Sequence, residues 1–247
     1  MRDTRCLMIL ALTVAFACTV TAGCGSAYFG QQESWRQEVD DSLAKLEAAD
    51  SFHYRLRLER WVGVSGKSVF GDESGEGSWL DHNFSIQLLR HSPAGDKNLL
   101  LASWKSVTYL QDKGEWRRIE EGEAPSPLCD PRRFLELAST YGDISLEEEE
   151  EHDGKVYHRY LLLLSGDRAR ELLSQRTWSY FSNLRYELRC RILISDGSSA
   201  PASIELEALG YDAQENLLRY RLLATVDLYD LNSPAVQLTV PLVSGQD

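Results

Sequence analysis

Apolar positions recur along this 247-residue chain with three different spacings. First comes an unbroken run, Cys6 to Ala17 (CLMILALTVAFA). Next, Trp35, Val39, Leu43 and Leu46 recur at helical spacing and predict a helix over about Glu33 to Ala49, its apolar stripe made for packing on a sheet. From Phe52 the period falls to two. Phe52, Tyr54, Leu56 and Leu58 alternate with His53, Arg55, Arg57 and Glu59, the signature of a half-buried strand. Gly63, Gly66, Gly71, Gly75 and Gly77 then obscure the alternation and predict a flexible or twisted hairpin. Further strands are expected over Asn83–Arg90, Leu99–Trp104, Val107–Gln111 and Trp116–Ile119, the last two joined at Asp112-Lys113-Gly114-Glu115. After a polar break at Glu120–Pro127, Asp130 as N-cap and Pro131 at the first position start a short helix that Gly142 ends. Strands at Ile144–Glu151 and Val156–Leu164 meet at Asp153-Gly154, and Asp167 to Ser182 has a helical pattern.

The last third has the clearest period of two. Leu184, Tyr186, Leu188, Cys190, Ile192 and Ile194 form one face, followed by Ile204, Leu206 and Ala208. Leu218, Tyr220, Leu222, Ala224, Val226 and Leu228 form another such row. Strands of this length, each with one apolar face and no continuous apolar run, imply a tall, twisted antiparallel sheet solvated on one side. The apolar face must be covered. The expected fold class is α+β: one domain over 33–247, with a long curved antiparallel sheet, a half-open barrel, covered on its concave side by about three helices. Such a sheet encloses either a packed core or an elongated apolar cavity, and periodicity does not separate the two. The candidate cavity residues are Phe52, Tyr54, Leu56, Leu58, Leu188, Ile192, Leu206, Leu222 and Val226.

The N-terminal run fixes an address. Twelve apolar residues after Arg2 and Arg5 are too few to span a bilayer comfortably and suit a signal-peptide core. Thr21-Ala22-Gly23-Cys24 then reads as a lipobox, with Thr21 where leucine is usual. On this reading residues 1–23 are a leader, Cys24 is the lipid attachment site and 24–32 form a short tether. The alternative is an ordinary secretory leader with an incidental Cys24. Either way the domain works outside the cytoplasm, on the face of the cytoplasmic membrane or on an outer membrane where the cell has one.

The formal charge of −12 becomes −13 once Arg2, Asp3 and Arg5 are removed. That excludes nucleic acid as an expected partner and disfavours a general anionic lipid surface. Of five cysteines, Cys129 and Cys190 remain beyond the lipid site, free either to bridge or to stay separate buried thiols. No metal or cofactor is expected.

Enzyme signatures are scarce. Gly63-Val64-Ser65-Gly66-Lys67-Ser68 ends like a phosphate-binding loop, but Trp61 stands where its first glycine belongs. His152 and His158 flank a hairpin and read as ordinary polar strand residues. Glu147–Glu151 fits a charged edge strand better than a calcium loop, whose ligands must converge. Six tryptophans invite a sugar-stacking reading, though packing is their commoner use.

In order and spacing the chain resembles a known superfamily. It has a lipidated cysteine, a tether, an amphipathic helix and a basic-and-apolar first strand (FHYRLRLE). A meander ends at the Tyr109–Trp116 hairpin, and two helices with a hairpin between them precede three long strands. This is similar to the lipoprotein-carrier superfamily of LolA/LolB and LppX-type half-barrels. The resemblance covers about residues 33–241 and implies an open half-barrel that binds acyl chains in its concavity. The expected function is a non-enzymatic, membrane-anchored envelope lipoprotein with a hydrophobic ligand, lipid or lipid-linked. The alternative is an envelope sensor or protein-interaction module whose core is filled by its own side chains.

Overall fold

The computed structural model describes residues 30–64, 67–91, 95–120, 123–152, 154–196 and 200–241. Residues 1–29, among them Cys24, lie outside these residues; residues 30–32, expected as tether, are the first turn of a helix that runs over 30–47. The described chain forms an eleven-stranded antiparallel sheet of two meanders. One is β1 (Ser51–Val64), β2 (Lys67–Leu80), β3 (Asn83–His91), β4 (Lys97–Trp104), β5 (Val107–Asp112) and β6 (Glu115–Ile119). The other is β7 (Asp143–His152), β8 (Lys155–Leu164), β9 (Arg185–Ser195), β10 (Ser203–Tyr211) and β11 (Leu218–Tyr229). Pairing of β1 with β11 joins them, giving the order β6-β5-β4-β3-β2-β1-β11-β10-β9-β8-β7. β6 and β7 remain edges, so the sheet is a half-open barrel.

Cross-strand register explains why one face is buried. Leu56 pairs with Val226, Val226 with Ile204, Ile204 with Ile192 and Ile192 with Tyr160. This row of side chains crosses five strands and is at most 1% exposed. A parallel row joins Leu162, Cys190, Leu206, Ala224 and Leu58. Helices cover this face: α1 (residues 30–47), α2 (Arg132–Ala138), α3 (Ala169–Leu172) and α4 (Gln175–Phe181). Val39, Leu43 and Leu46 of α1 join one hydrophobic cluster with Phe134, Leu137 and the inner strand residues. The α+β half-barrel expected from the sequence is the observed fold.

Two local expectations need correction. The glycine-rich stretch does form a hairpin, β1 with β2, but a regular one: β2 is a 14-residue strand paired with β1 along its length. Its glycines serve packing: a Cβ at Gly77 would lie 2.5 Å from the Tyr54 ring, so Tyr54 fills the space a side chain would need. The second correction concerns Asp167–Ser182, which is not one helix. A 3-10 turn (Gly166–Arg168) and α3 are separated from α4 by Leu173 and Ser174 in extended conformation. The Ser174 side chain accepts a bond from the Thr177 N–H, capping α4 and ending the earlier turn. Asp130 does accept from the Arg132 N–H (3.1 Å), though helical geometry begins at Arg132 and Pro131 is the cap position.

Candidate ligand site on the concave face

All nine candidate cavity residues lie on the inner face. Phe52, Tyr54, Leu56 and Leu58 are at most 4% exposed, as are Leu188, Ile192, Leu206, Leu222 and Val226. They belong to one packed cluster in which side chains and helices fill the concavity. Tyr54 is fully buried, its hydroxyl donating to the Cys129 carbonyl at 3.1 Å. Burial, then the nearby Cys129 and Asp130, hold that hydroxyl well above the usual tyrosine range.

Charge enters where this face ends. Register places Leu58 opposite Glu73, Arg60 opposite Gly71 and Glu73 opposite Arg90, all on the inner side. Glu73 Oε1 accepts from Arg60 Nη1 at 2.7 Å and Arg90 Nε at 2.8 Å. Its side chain is 2% exposed, and Oε2 is buried without a hydrogen-bond partner. Burial opposes the Arg60 charge, but the Glu73 carboxylate more than offsets this and holds the guanidinium firmly protonated. These residues line a pocket of about 400 Å³ with Asp72, His91, Glu123 and Ser174 at the α4 cap. Nearby, Tyr220 also buries a hydroxyl without a partner, and burial pushes it up to about 12. The sequence did not single out this cluster. Its signal was there: Arg60, Glu73 and Arg90 occupy inner positions once β2 is counted as a regular strand.

A second pocket of about 420 Å³ lies on the convex face, lined by Arg55, Glu76 and Gln87, which pair in register with one another.

The other sequence candidates separate. Cys129 and Cys190 are free buried thiols, so the bridge that the sequence allowed is not formed. Burial, the largest cause, pushes Cys129 up to about 12 and Cys190 higher still. Cys190 is held in the middle of β9 between Leu206 and Leu162, and Cys129 lies in a short 3-10 turn beneath Tyr54. His152 pairs with Lys155 and His158 with Glu149, so the hairpin does not set the histidines opposite each other. His158 Nδ1 instead meets Glu38 of α1 at 3.1 Å. The glutamate run lies on edge strand β7, where Glu147 pairs with Arg191, and Glu148 and Glu150 with Arg159. No group of three metal-ligating side chains occurs among the described residues. Trp79 is buried in a stack on Phe52 (5.1 Å), and Trp178 stacks on Tyr186 (6.0 Å). The resemblance to a phosphate-binding loop falls partly on residues 65–66, outside the described residues.

The chain is similar to several solved structures. The Mycobacterium tuberculosis lipoprotein LppX aligns over 82% of this chain and 97% of its own, at 10% identity and a TM-score of 0.46. LprF from Mycobacterium bovis aligns over 83% and 94%, at 11% identity and 0.47. A LolA superfamily protein from Nitrosomonas europaea aligns over 83% and 94%, at 9% identity and 0.32. No family model and no curated protein matches the sequence.

Proposed function

We propose that this protein is a non-enzymatic, extracytoplasmic lipoprotein that holds an amphiphile between its sheet and its helical cover. Cys24 is the lipid attachment site, residues 24–29 the tether, shorter than the 24–32 expected because α1 begins at residue 30, and the rest of the chain one working domain. The observation that carries the reading is the inner face itself: apolar from β8 to β3, charged at Arg60–Glu73–Arg90. An acyl chain would lie along Leu56, Ile192 and Val226, with its polar end toward the charged pocket.

Entry requires the cover to move. α2, α3 and α4 have only seven, four and seven residues. Helices this short have little stability of their own and persist through packing. A chain that displaces Phe134 or Leu172 from the inner face replaces one apolar contact with another. Net affinity is then modest, which suits a protein that must release its cargo.

A second reading, an envelope sensor or interaction module with a self-filled core, is favoured by the near-complete burial of the inner side chains. Mass spectrometry of organic extracts from the purified chain lacking Cys24 separates the two. Reproducible co-purified lipid supports the first reading, and lipid-free protein supports the second.

A further inference from the structure

The exposed apolar side chains are unevenly placed. Val69, Phe70, Tyr180 and Leu217 are 53%, 67%, 71% and 51% exposed. Register puts three of them at one end of the sheet. Val69 and Phe70 pair with Val62 and Trp61 beside the β1–β2 turn. Val62 also pairs with Tyr220, so the β10–β11 turn that carries Leu217 lies at the same end. Tyr180 lies on α4, which packs over this end through Trp178 on Tyr186 and Phe181 on Tyr220. Alternation gives the hairpin tip apolar groups on both faces: Val62 and Val69 inward, Trp61 and Phe70 outward.

The start of α1 is at this end too. In the first turns of α1, Gln32 donates to the Ile144 carbonyl (3.4 Å) and Arg36 to that of Gly142 (2.9 Å). Gly142 bonds to Leu163 at the end of β8, and Leu164 there shares a row with Leu188, Ala208, Leu222 and Arg60. Five residues, 25–29, separate Cys24 from residue 30, a reach of about 20 Å.

We propose that this end is a docking rim for a neutral lipid bilayer, with Val69, Phe70 and Leu217 entering the acyl boundary and Trp61 and Tyr180 seated at headgroup level. A bilayer fits better than a protein groove for three reasons. The apolar groups project from three separate elements and leave no continuous face. Tryptophan and tyrosine suit a boundary that is apolar below and wet above. The anchoring cysteine is within tether reach of the same end. The mature chain's net charge of −13, which is −12 less the +1 of Arg2, Asp3 and Arg5, selects neutral over anionic lipid. The proposal adds to the ligand reading through the shared membrane and does not depend on what the concave face holds.

The test is co-sedimentation of the full mature chain carrying Cys24→Ser with phosphatidylcholine vesicles, and separately with phosphatidylglycerol vesicles. The expected result is binding to phosphatidylcholine that Phe70→Ser weakens about tenfold, the loss of one buried aromatic. Val69→Ser with Leu217→Ser should weaken it further, and Tyr229→Ser, an exposed control opposite His53 at the other end of the sheet, should leave it unchanged. All these side chains are exposed, so each variant should keep the parent's thermal melt. Equal sedimentation of parent and rim variants, or no vesicle binding by the parent, overturns the rim even if fatty-acid uptake persists. A concentration-dependent dimer that Phe70→Ser abolishes, without vesicle binding, assigns the rim to a second copy and overturns the bilayer.

Discussion

Strands β9 and β2 both belong to the same sheet, and both turn alternate residues toward the same helices. Along β9 the inward positions are Tyr186, Leu188, Cys190, Ile192 and Ile194, all buried. Along β2 they are Val69, Gly71, Glu73, Gly75, Gly77 and Trp79. The first set is what a sheet needs in order to pack. The second gives up most of that packing, and two of its positions, Gly71 and Glu73, line the charged pocket. Apolar packing and buried charge are therefore divided between β9 and β2, and the two meanders that hold these strands meet where β1 pairs with β11.

The largest expected effect lies in the packed half. Ile192 is 0% exposed between Ile204 and Tyr160, so Ile192→Ala should cost about 2–5 kcal/mol by urea denaturation. Val69→Ala in β2 should change stability little, because that side chain is half in water. Equal losses at the two sites would break the comparison.

Glu73→Gln comes next. It keeps the shape but removes the charge facing two guanidiniums, which are themselves 25% and 31% exposed and keep some hydration. Allowing for that hydration, the expected loss is about 1.5–3 kcal/mol, shrinking in high salt. Leucine at the same position, with Arg60→Leu and Arg90→Leu, should recover much of the loss if the cluster is retained for binding and not for stability.

Gly77→Ala should cost about 1–3 kcal/mol, because the new methyl meets the Tyr54 ring. Combining it with Tyr54→Leu should recover part of that loss, and a double-mutant cycle measures the coupling. Additive losses would show that Gly77 is not there to make room for Tyr54.

The smallest effect is a pH dependence. Tyr54, Cys129 and Cys190 all have folded-state pKa values raised by burial. Their contribution is fully present below the unfolded thiol pKa of about 8.5 and is lost as pH rises above it toward the folded values. The unfolded chain then binds fewer protons than the native one. Denaturation midpoints should fall from about pH 8.5 upward, and native thiols should resist alkylation near that pH until the chain unfolds.

How well the sequence foretold the structure follows the same division. The β9, β10 and β11 strands were readable because burial demands an apolar residue at nearly every second position. The α1 stripe was readable for the same reason at helical spacing, and the Asp130 bond to Arg132 follows from capping chemistry. β2 was hidden because four of its six inward residues are glycine or glutamate, which carry no hydrophobic period. The Arg60–Glu73–Arg90 cluster was hidden with it, since three residues 13 and 17 apart become neighbours only through strand register. The α3–α4 break was missed because Leu173 and Ser174 fit a helical pattern, and only the Ser174 cap reveals the stop. The exposed rim was masked similarly: the β1–β2 tip reads as small and polar until pairing sets Val69 against Val62 and Phe70 against Trp61.

The central claim is that the inner face under the helical cover accepts an acyl chain. Titration of the chain lacking Cys24 with a fluorescent fatty acid, followed by displacement with an unlabelled one, tests it most directly. The account predicts saturable, displaceable uptake that Ile192→Trp, which adds bulk in the middle of the inner face, reduces while the fold is kept. Absence of saturable uptake by the parent chain, or uptake unchanged by Ile192→Trp, would contradict it.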